Sequence, residues 1–284
     1  MVDNIKLIKY PDGSSYIELE NQVKESLFNI KEFMFRVNSY EDLWHLNQLV
    51  DACNTQGVYP VVTIPNLIDA QADRRFKVTQ SSGLKLICTF LNNMRASFKI
   101  FHPHNPEVVE ALIDKVEIVD NSRFISKVLF KIQGGTFEKY ENLILMSSDA
   151  GGFKPLMRLC DQLQWKGETF SASKARKYED GKSSLSQIVD RQDFDGKDIL
   201  IVDDLCIYGG TFKGLAKILR TKNVGKLYLA VSHLTIQNHK WEDSIFTHYD
   251  KVFTTNSKFD SYFVPQGEGG SPPRNLEVFK MFTV

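Results

Sequence analysis

The amino-acid sequence predicts an α/β protein with two domains, each a mainly parallel β-sheet flanked by helices. Short apolar runs alternate with longer amphipathic patterns along the chain, which is typical of strands that alternate with helices. The apolar runs are near-continuous, as expected for strands of a sheet covered on both faces. The chain has 284 residues, of which 42% are hydrophobic, and this is enough for two domains with separate cores.

The first half of the sequence contains three strand–helix pairs. Residues 33–37 predict a strand, and the capping-box-like sequence at residues 39–42 predicts the start of a helix whose apolar residues follow at helical spacing. The other strands predicted in this half are residues 58–64 and 97–102, and the helices that follow them are residues 83–94 and 106–113.

The second half resumes this alternation after a mixed segment, residues 116–132. We therefore expect the two halves to meet at residues 134–141, with an N-terminal domain of residues 1–137 and a C-terminal domain of residues 138–284. The strands predicted in the second half are residues 142–148, 198–204, 226–233 and 251–256, the helices are residues 154–163, 211–221 and 240–249, and a loop is expected at residues 265–275.

The composition argues against several classes of protein. Lys and Arg total 35 and Asp and Glu total 35, so no overall field attracts nucleic acid or a membrane surface. The sequence has no signal-peptide-like segment and no apolar run of membrane-spanning length. The four cysteines are scattered without a C-x-x-C pair, which favours a reducing compartment. We expect a cytoplasmic protein without nucleic-acid or membrane partners.

The segment "ILIVDDLCIYGGTFKGLAKIL" predicts a binding site at the end of a strand. An apolar strand ends in Asp203 and Asp204, and a turn with Gly209 and Gly210 leads into a helix from Thr211. Adjacent carboxylates repel each other, so they favour a partner such as a sugar diol or a hydrated Mg²⁺ ion. The glycine turn and the first N–H groups of the helix offer an anion site. Together these features fit a phosphorylated ribose. The alternative is an ordinary strand–turn–helix in which aspartate acts as a cap.

The same segment resembles a known binding motif. The run "ILIVDDLCIYGGT" looks like the ribose-phosphate-binding motif of type I phosphoribosyltransferases and ribose-phosphate pyrophosphokinases. The run "LMSSDAGGFKPLMRL" is similar to the Ser-Pro-Asp-Ala-Gly-Gly signature of the pyrophosphokinases, and the resemblance is collinear from about residue 8 to residue 260. Further segments that resemble the pyrophosphokinases are "IKYPDGSSYIEL", "IPNLIDAQADRRF", "FKIFHPHNPEVVEAL", "SASKARKYEDGK", "VSHLTIQ" and "VFTTNS".

This resemblance implies two phosphoribosyltransferase-like domains and a specific reaction. The β,γ-diphosphate of ATP moves to the anomeric hydroxyl of a 5′-phosphorylated ribose, and AMP is released. The resemblance implies that Lys174 and Arg176 are catalytic and clamp the transferring phosphates, and that His104 and Asp149 are associated with Mg²⁺. The implied ATP-binding residues are Tyr10, Asp12, Ser14, Gln71, Asp73, Arg74 and His104. The implied binding residues for the ribose and its 5′-phosphate are Asp203, Asp204, Cys206, Ile207, Tyr208, Gly209, Gly210 and Thr211.

The sequence departs from the family pattern in the sugar-phosphate loop. The usual loop offers Asp and Thr side chains to a terminal 5′-phosphate, and Ile207 and Tyr208 stand in their places. Each lost hydrogen bond to a charged group weakens binding by roughly 1.5–3 kcal/mol. ADP-ribose needs fewer donors because its 5′-phosphate is part of a diphosphate, and Tyr208 can stack on its adenine. We therefore favour ADP-ribose over ribose 5-phosphate as the acceptor, which is similar to the phage-type pyrophosphokinases that act on ADP-ribose.

Two further departures keep other functions open. Ser14 replaces a glutamate of the adenine-binding strand, and Gln71-Ala72 replaces an Arg-Gln pair, with Arg74 or Arg75 as a substitute cation. These changes favour a catalytically inactive regulatory homologue, whereas the residues retained elsewhere favour an enzyme. A base-transferring phosphoribosyltransferase is the remaining alternative, but the two-domain length argues against it. The resemblance also implies a homo-oligomer, either a dimer or a hexamer.

Overall fold

The computed structural model describes residues 5–19, 30–134, 142–179, 182–236, 244–260 and 273–282. The chain divides into two compact units, one formed by Met1–Asp120 with Phe282–Val284 and the other by Asn121–Met281. Each unit contains a parallel sheet flanked by helices. The predicted α/β class with two mainly parallel sheets is therefore confirmed.

The first unit combines an antiparallel hairpin with a parallel sheet. The hairpin pairs the first two strands, and the sheet has the order β3-β4-β5-β6 with every neighbouring pair parallel. In chain order the elements are β1 (Ile5–Lys9), β2 (Ser15–Leu19), β3 (Ile30–Met34), α1 (Tyr40–Thr55), β4 (Tyr59–Ile64), α2 (Gly83–Asn92), β5 (Ser97–Phe101), α3 (Pro106–Leu112) and β6 (Val116–Val119).

Local sequence signals fix the helix starts of the first unit. The Ser39 side chain accepts a hydrogen bond from the Asp42 backbone N–H at 3.1 Å, and the Asp42 carboxylate accepts one from the Asn38 N–H at 2.9 Å. This exchange satisfies N–H groups at the start of α1 that have no partner within the helix. Asn105 caps α3 in the same way, with Pro106 in the first turn, where its missing N–H costs nothing.

The second unit is built on a six-stranded parallel sheet of order β14-β13-β12-β11-β7-β8, with a separate antiparallel hairpin of β9 and β10. Two short 3-10 turns, Ala150–Gly152 and Ile245–Thr247, lie at its connections. In chain order the elements are α4 (Ser122–Ile132), β7 (Leu143–Ser147), α5 (Phe153–Leu163), β8 (Glu168–Ser171), β9 (Ser173–Glu179), β10 (Lys182–Ile188), β11 (Asp198–Cys206), α6 (Gly210–Arg220), β12 (Leu227–Leu234), β13 (Lys251–Thr255) and β14 (Leu276–Phe279).

Strand β11 is buried on both faces of this sheet. Ile199 and Ile201 belong to a core cluster that includes Leu215 of α6. Leu200 belongs to the opposite cluster, which includes Leu156 of α5. Because both faces of the strand are covered, polar groups are accommodated only where the strand reaches the carboxyl edge of the sheet.

The division between the units lies before α4 rather than after it. The sequence prediction placed the boundary at residues 137 and 138, whereas α4 belongs to the unit Asn121–Met281. Phe124 and Val128 of α4 pack in one cluster with Leu156 of α5. An amphipathic pattern shows that a helix buries one face, but it does not show which sheet covers that face. Residues 135–141, most of the predicted junction, lie outside the described residues.

The last predicted helix also differs from the structure. Of residues 240–249, the described part contains only the 3-10 turn Ile245–Thr247. Strand β14 follows the predicted loop and is not among the predicted strands. It lies at the edge of the sheet, where a short strand without a long apolar run is common. No helix in the described parts of the chain is both long and apolar enough to cross a membrane.

All four cysteines are reduced and buried. Burial raises the pKa of each thiol, to about 11 for Cys53, Cys88 and Cys160 and to about 12 for Cys206. Thiols with such values carry almost no thiolate near neutral pH, so these cysteines act as small apolar side chains.

Candidate functional site

The structure places Asp203 and Asp204 beyond the end of strand β7. Their strand β11 pairs with β7 as far as Val202 and with β12 as far as Cys206. Both aspartates are half-buried, in contrast to the fully buried apolar residues that precede them on β11. The carboxyl edge of a parallel sheet is where open α/β proteins bind ligands. The two carboxylates therefore occupy the position in the fold at which a ligand is expected.

A hydrogen-bond network holds the Asp203 carboxylate. The Ser148 hydroxyl donates to Asp203 Oδ2, and the Asp204 backbone N–H donates to Asp203 Oδ1 at 2.8 Å. Burial, followed by the neighbouring Asp204 carboxylate, raises the pKa of Asp203 to about 8, while the Ser148 hydrogen bond acts in the opposite direction. The aspartate pair therefore retains a proton at neutral pH until a ligand compensates the second negative charge.

This raised pKa makes stability depend on pH. The folded pKa of Asp203 is about 8, against 3.8 for the unperturbed group. Between those values the folded protein retains a proton that the unfolded chain has lost, so this residue lowers the free energy of unfolding as pH rises. Asp203→Asn is expected to remove the effect. The stability of the variant relative to wild type should increase by ~2 kcal/mol or more from pH 5 to pH 8, since one pH unit corresponds to ~1.4 kcal/mol per proton.

Urea denaturation of the wild type and of Asp203→Asn at pH 5, 6.5 and 8 measures this difference. The comparison between the two proteins cancels the contribution of the other titrating groups, which both share. Parallel stability profiles across this range would show that Asp203 is ionised at ordinary carboxylate pH values in the folded protein.

The loop after β11 is tied down at its backbone and exposed at its tip. The Thr235 backbone N–H donates to the Cys206 carbonyl at 3.0 Å, and the Thr235 hydroxyl donates to the Ile207 carbonyl at 3.3 Å. Within the same loop, Ile207 is 39% exposed and Tyr208 is 77% exposed. Large apolar and aromatic side chains with much exposed surface beside a candidate site can contact a ligand.

Gly209 turns the loop into helix α6. Its φ is +77°, and a Cβ at this position would lie 2.2 Å from Cγ2 of Ile245. Gly210 begins α6, and the Lys213 N–H donates to the Gly209 carbonyl at 2.9 Å. The N–H groups of the first turn of α6 therefore follow directly on the exposed loop, together with Thr211. Such N–H groups, with the positive end of the helix dipole, favour a phosphate.

Asp149 lies in a turn that neighbouring serines hold in place. The Ser147 hydroxyl donates to the Asp149 carbonyl at 2.9 Å, and the Ser171 hydroxyl donates to the same carbonyl at 3.3 Å. The Asp149 carboxylate accepts a hydrogen bond from the Gly152 N–H at 3.1 Å and caps the 3-10 turn before α5. Capping gives Asp149 a structural role, which is compatible with a further contact to a cation.

The carboxylates near the end of β11 can supply oxygen donors to a metal ion. No group of three or more His, Cys, Asp or Glu side chains in the described residues is arranged to hold a metal ion. Mg²⁺ needs no such group, because one or two carboxylates, waters and substrate phosphates complete its coordination. Asp149, Asp203 and Asp204 supply oxygen donors of this kind, so these residues fit Mg²⁺ bound together with a phosphorylated substrate.

The predicted catalytic residues lie on the β9–β10 hairpin. Lys174 and Arg176 occupy alternate positions of β9, opposite Gln187 and Leu185 of β10. The Gln187 side-chain amide donates to the Ser148 carbonyl at 3.4 Å. The base of the hairpin that carries Lys174 is thereby connected to the segment that holds Asp203. Ser148 and Gln187 were not identified from the sequence, since a serine and a glutamine in polar segments give no signal by themselves.

In the first unit, the predicted residues of the β1–β2 hairpin lie at its tip. The Asp12 carboxylate accepts hydrogen bonds from the Ser14 hydroxyl at 2.7 Å and from the Ser14 N–H at 2.9 Å. These bonds lower the pKa of Asp12 and form a local Asx turn. The Tyr10 side chain is 50% exposed, and its ring lies 5.9 Å from that of Tyr16. The Tyr10 ring is thus accessible to a ligand, while Asp12 and Ser14 stabilise the turn.

The other predicted residues of the first unit lie on a second loop region. The Asp73 side chain is 7% exposed, interacts with Arg74 Nε at 3.4 Å, and accepts a hydrogen bond from the Asn105 side chain at 3.1 Å. Asn105 directly follows His104, so Asp73 and His104 are brought to one region. Gln71 and His104 are exposed. This arrangement gives Asp73 a structural role, and the Arg74 side chain beside it is 72% exposed.

Comparisons with known proteins give a consistent result. A family model described as "Phosphoribosyl transferase domain" matches residues 114–267. A ribose-phosphate pyrophosphokinase of Sulfurisphaera tokodaii is 24% identical over 252 residues, which cover 87% of this chain and 82% of that protein. A ribose-phosphate pyrophosphokinase of Pyrococcus abyssi is 25% identical over 231 residues, which cover 81% and 76% of the two chains.

Among solved structures, the fold is similar to that of a phosphoribosylpyrophosphate synthetase from Mycobacterium smegmatis. The TM-score is 0.75 at 16% sequence identity, and the match covers 98% of this chain and 86% of the other. At this level of identity the likeness is one of fold, and it agrees with the predicted pair of phosphoribosyltransferase-like domains.

Proposed function

The chain belongs to the phosphoribosyl transferase domain family, and from this premise we propose that it is a ribose-phosphate pyrophosphokinase. The enzyme transfers the β,γ-diphosphate of ATP to the anomeric hydroxyl of a 5′-phosphorylated ribose and releases AMP. The observation that carries the proposal is the half-buried Asp203–Asp204 pair at the carboxyl edge of the sheet, followed at once by the start of α6. Similarity to ribose-phosphate pyrophosphokinases over most of the chain supports the same reaction.

In the proposed reaction, one set of residues binds the sugar phosphate and another stabilises the negative charge of the transition state. Asp203 and Asp204 accept hydrogen bonds from the ribose hydroxyls, and the N–H groups at the start of α6 bind the 5′-phosphate. The sugar is then oriented so that its anomeric hydroxyl attacks the β-phosphorus in line. Lys174 and Arg176 neutralise the negative charge that develops on the transferring diphosphate, with Arg176 able to bind two oxygens at once.

Mg²⁺ and ATP complete the proposed site. When bound, Mg²⁺ neutralises charge on the phosphates of ATP. We propose that Asp149 of the second unit and His104 of the first unit are the residues associated with Mg²⁺. Tyr10, Arg74 and the neighbouring polar residues of the first unit are proposed to contact ATP. The same proposal includes a homo-oligomer, dimer or hexamer, which sedimentation velocity can test.

The acceptor that fits the exposed loop best is ADP-ribose. Ile207 and Tyr208 project into solvent where donors to a terminal phosphate are expected in the family, so the loop offers apolar and aromatic surface in place of hydroxyl groups. ADP-ribose has no terminal 5′-phosphate and carries an adenine that the Tyr208 ring can stack on. Ribose 5-phosphate is the second candidate, since the backbone N–H groups of α6 serve either compound.

The test is AMP release from Mg²⁺-ATP with ADP-ribose and ribose 5-phosphate offered separately, beside Asp203→Ala as the control with a weakened sugar site. We expect kcat/KM to be at least about 10-fold higher for ADP-ribose than for ribose 5-phosphate. This is the ratio expected when the terminal 5′-phosphate of ribose 5-phosphate lacks one hydrogen bond. Tyr208→Ala should reduce this preference without reducing the use of ribose 5-phosphate.

The opposite outcomes are equally informative. Turnover of ribose 5-phosphate alone would make this a pyrophosphokinase with an ordinary acceptor and a tolerant loop. No AMP with either acceptor would favour the catalytically inactive regulatory homologue that Gln71, Ala72 and Ser14 suggest.

A further inference from the structure

Ser148 is the residue through which the protein holds the Asp203 carboxylate from outside its own strand. The Ser148 side chain is buried, with 4% of the residue exposed, and its hydroxyl donates to Asp203 Oδ2. The other oxygen, Oδ1, accepts the Asp204 backbone N–H at 2.8 Å. The Asp204 contact is local to β11, whereas the Ser148 contact comes from the end of β7. Ser148 therefore supplies a contact that helps to fix the rotation of the Asp203 carboxylate.

The backbone of Ser148 is fixed on both sides. On one side, the Ser147 hydroxyl donates to the Asp149 carbonyl at 2.9 Å. On the other, the Gln187 side chain reaches the Ser148 carbonyl at 3.4 Å. Gly214 packs closely against this side chain, since a Cβ at residue 214 would lie 3.1 Å from Gln187 Oε1. A donor held this firmly can orient the carboxylate that it contacts.

The family resemblance does not by itself imply this contact. In the Ser-Pro-Asp-Ala-Gly-Gly signature that residues 147–152 resemble, a proline stands at the position of Ser148. Proline has no side-chain donor, so the signature offers no hydrogen bond of this kind. Ser148 therefore places a side-chain hydrogen-bond donor at a position where the resemblance predicts none.

We propose that Ser148 is a positioning residue that holds Asp203 in the orientation in which it accepts the ribose hydroxyls. The inference rests on the proposed function for the identity of the sugar. The ribose hydroxyls that meet Asp203 form and break no bonds in the reaction, so this interaction is equal in the ground state and the transition state. Its loss therefore weakens sugar binding and raises KM, while kcat changes little.

The experiment is calorimetric binding of ADP-ribose and of ribose 5-phosphate to the wild type, Ser148→Ala and Ser148→Thr. The matched control is Ser244→Ala, since Ser244 is also buried but its hydroxyl has no hydrogen-bond partner among the described residues. We expect Ser148→Ala to raise the dissociation constant about 10-fold, as for one hydrogen bond to a charged group. Ser148→Thr retains the hydroxyl and should restore most of the affinity, and Ser244→Ala should bind like wild type.

Kinetics and thermal unfolding of the same variants separate positioning from folding. We expect kcat of Ser148→Ala at saturating sugar to stay within about 3-fold of wild type, as for a uniform-binding contact. Wild-type affinity in Ser148→Ala, a loss confined to kcat, or a folded Ser148→Thr as weak as the alanine variant would overturn the proposal. Binding without AMP release in the wild type would contradict only the proposed reaction, whereas failure of the wild type to bind either compound would contradict both proposals.

Discussion

Gly209→Ala is expected to destabilise the second unit by ~3 kcal/mol or more and to abolish AMP release. The left-handed backbone at this position costs a non-glycine residue about 1–2 kcal/mol. The added methyl group would also lie 2.2 Å from Cγ2 of Ile245 and 3.4 Å from Cδ1 of Ile236, and overpacking of a core typically costs 1–3 kcal/mol. Because both Ile245 and Ile236 are buried, relief requires the loop to move away from the start of α6.

The neighbouring glycine provides a matched control. Gly210 is the first residue of α6, its φ is not positive, and a Cβ there would meet no atom within 4 Å. Gly210→Ala is therefore expected to change the free energy of unfolding by less than about 1 kcal/mol, and alanine is the better helix former. Urea denaturation of both variants measures the contrast. Equal stability of the two alanine variants would mean that the loop does not need the left-handed turn.

Lys174→Ala and Arg176→Ala are each expected to lower kcat by about 10²–10³-fold, the loss typical when a group that stabilises transition-state charge is removed. Both residues occupy alternate positions of β9, and Lys174 lies opposite Gln187, which contacts the segment that holds Asp203. Negative charge on the transferring diphosphate increases in the transition state. The loss is therefore expected mainly in kcat and less in KM.

Lys177→Ala is the matched control for this pair. Lys177 carries the same charge on the same strand, but it lies at a position of the other parity, opposite Ser184. Successive positions of a β-strand belong to opposite faces of the sheet, so removal of this charge is expected to change kcat by less than about 3-fold, since a single charge outside the reacting site contributes little. A loss in Lys177→Ala as large as in Lys174→Ala would indicate a general effect of charge on the hairpin. Steady-state kinetics with saturating Mg²⁺-ATP distinguishes the two.

The parallel sheets could be predicted because their strands are marked by uninterrupted apolar sequence. Residues 199–201 and 227–231 are fully or nearly buried on both sides, and no other environment suits such runs in a chain of this polarity. The β9–β10 hairpin gave no such signal. Its sequence is mostly polar or charged. No uninterrupted apolar run therefore marks its two strands as part of a buried sheet.

The candidate site was predictable only where its residues are contiguous. Asp203, Asp204 and Gly209 lie within one short segment, so their spacing alone indicates a strand end and a turn. Ser148 and Asp203 are 55 residues apart, and Gln187 and Ser148 are 39 residues apart. These contacts depend on which strands become neighbours in the sheet, and a single sequence does not specify strand order.

Local structure also changed the interpretation of the first unit. The resemblance places Ser14 where the family has a glutamate of the adenine-binding strand. In the structure, the Ser14 hydroxyl and backbone N–H both donate to Asp12. Likewise, Asp73 is largely buried between Asn105 and Arg74. Short polar residues in turns form such local bonds readily, so their presence in a resembling segment is weaker evidence for a ligand than the strand-end position of Asp203.

The burial of every native thiol also bears on how the protein can be studied. Cys53, Cys88, Cys160 and Cys206 are all inaccessible, so maleimide reagents meet no native thiolate at neutral pH. A cysteine placed at the 77% exposed position of Tyr208 would therefore accept a fluorescent dye selectively, in a chain that keeps its own cysteines. A dye at this position would report ligand binding at the sugar-phosphate loop as a change in fluorescence.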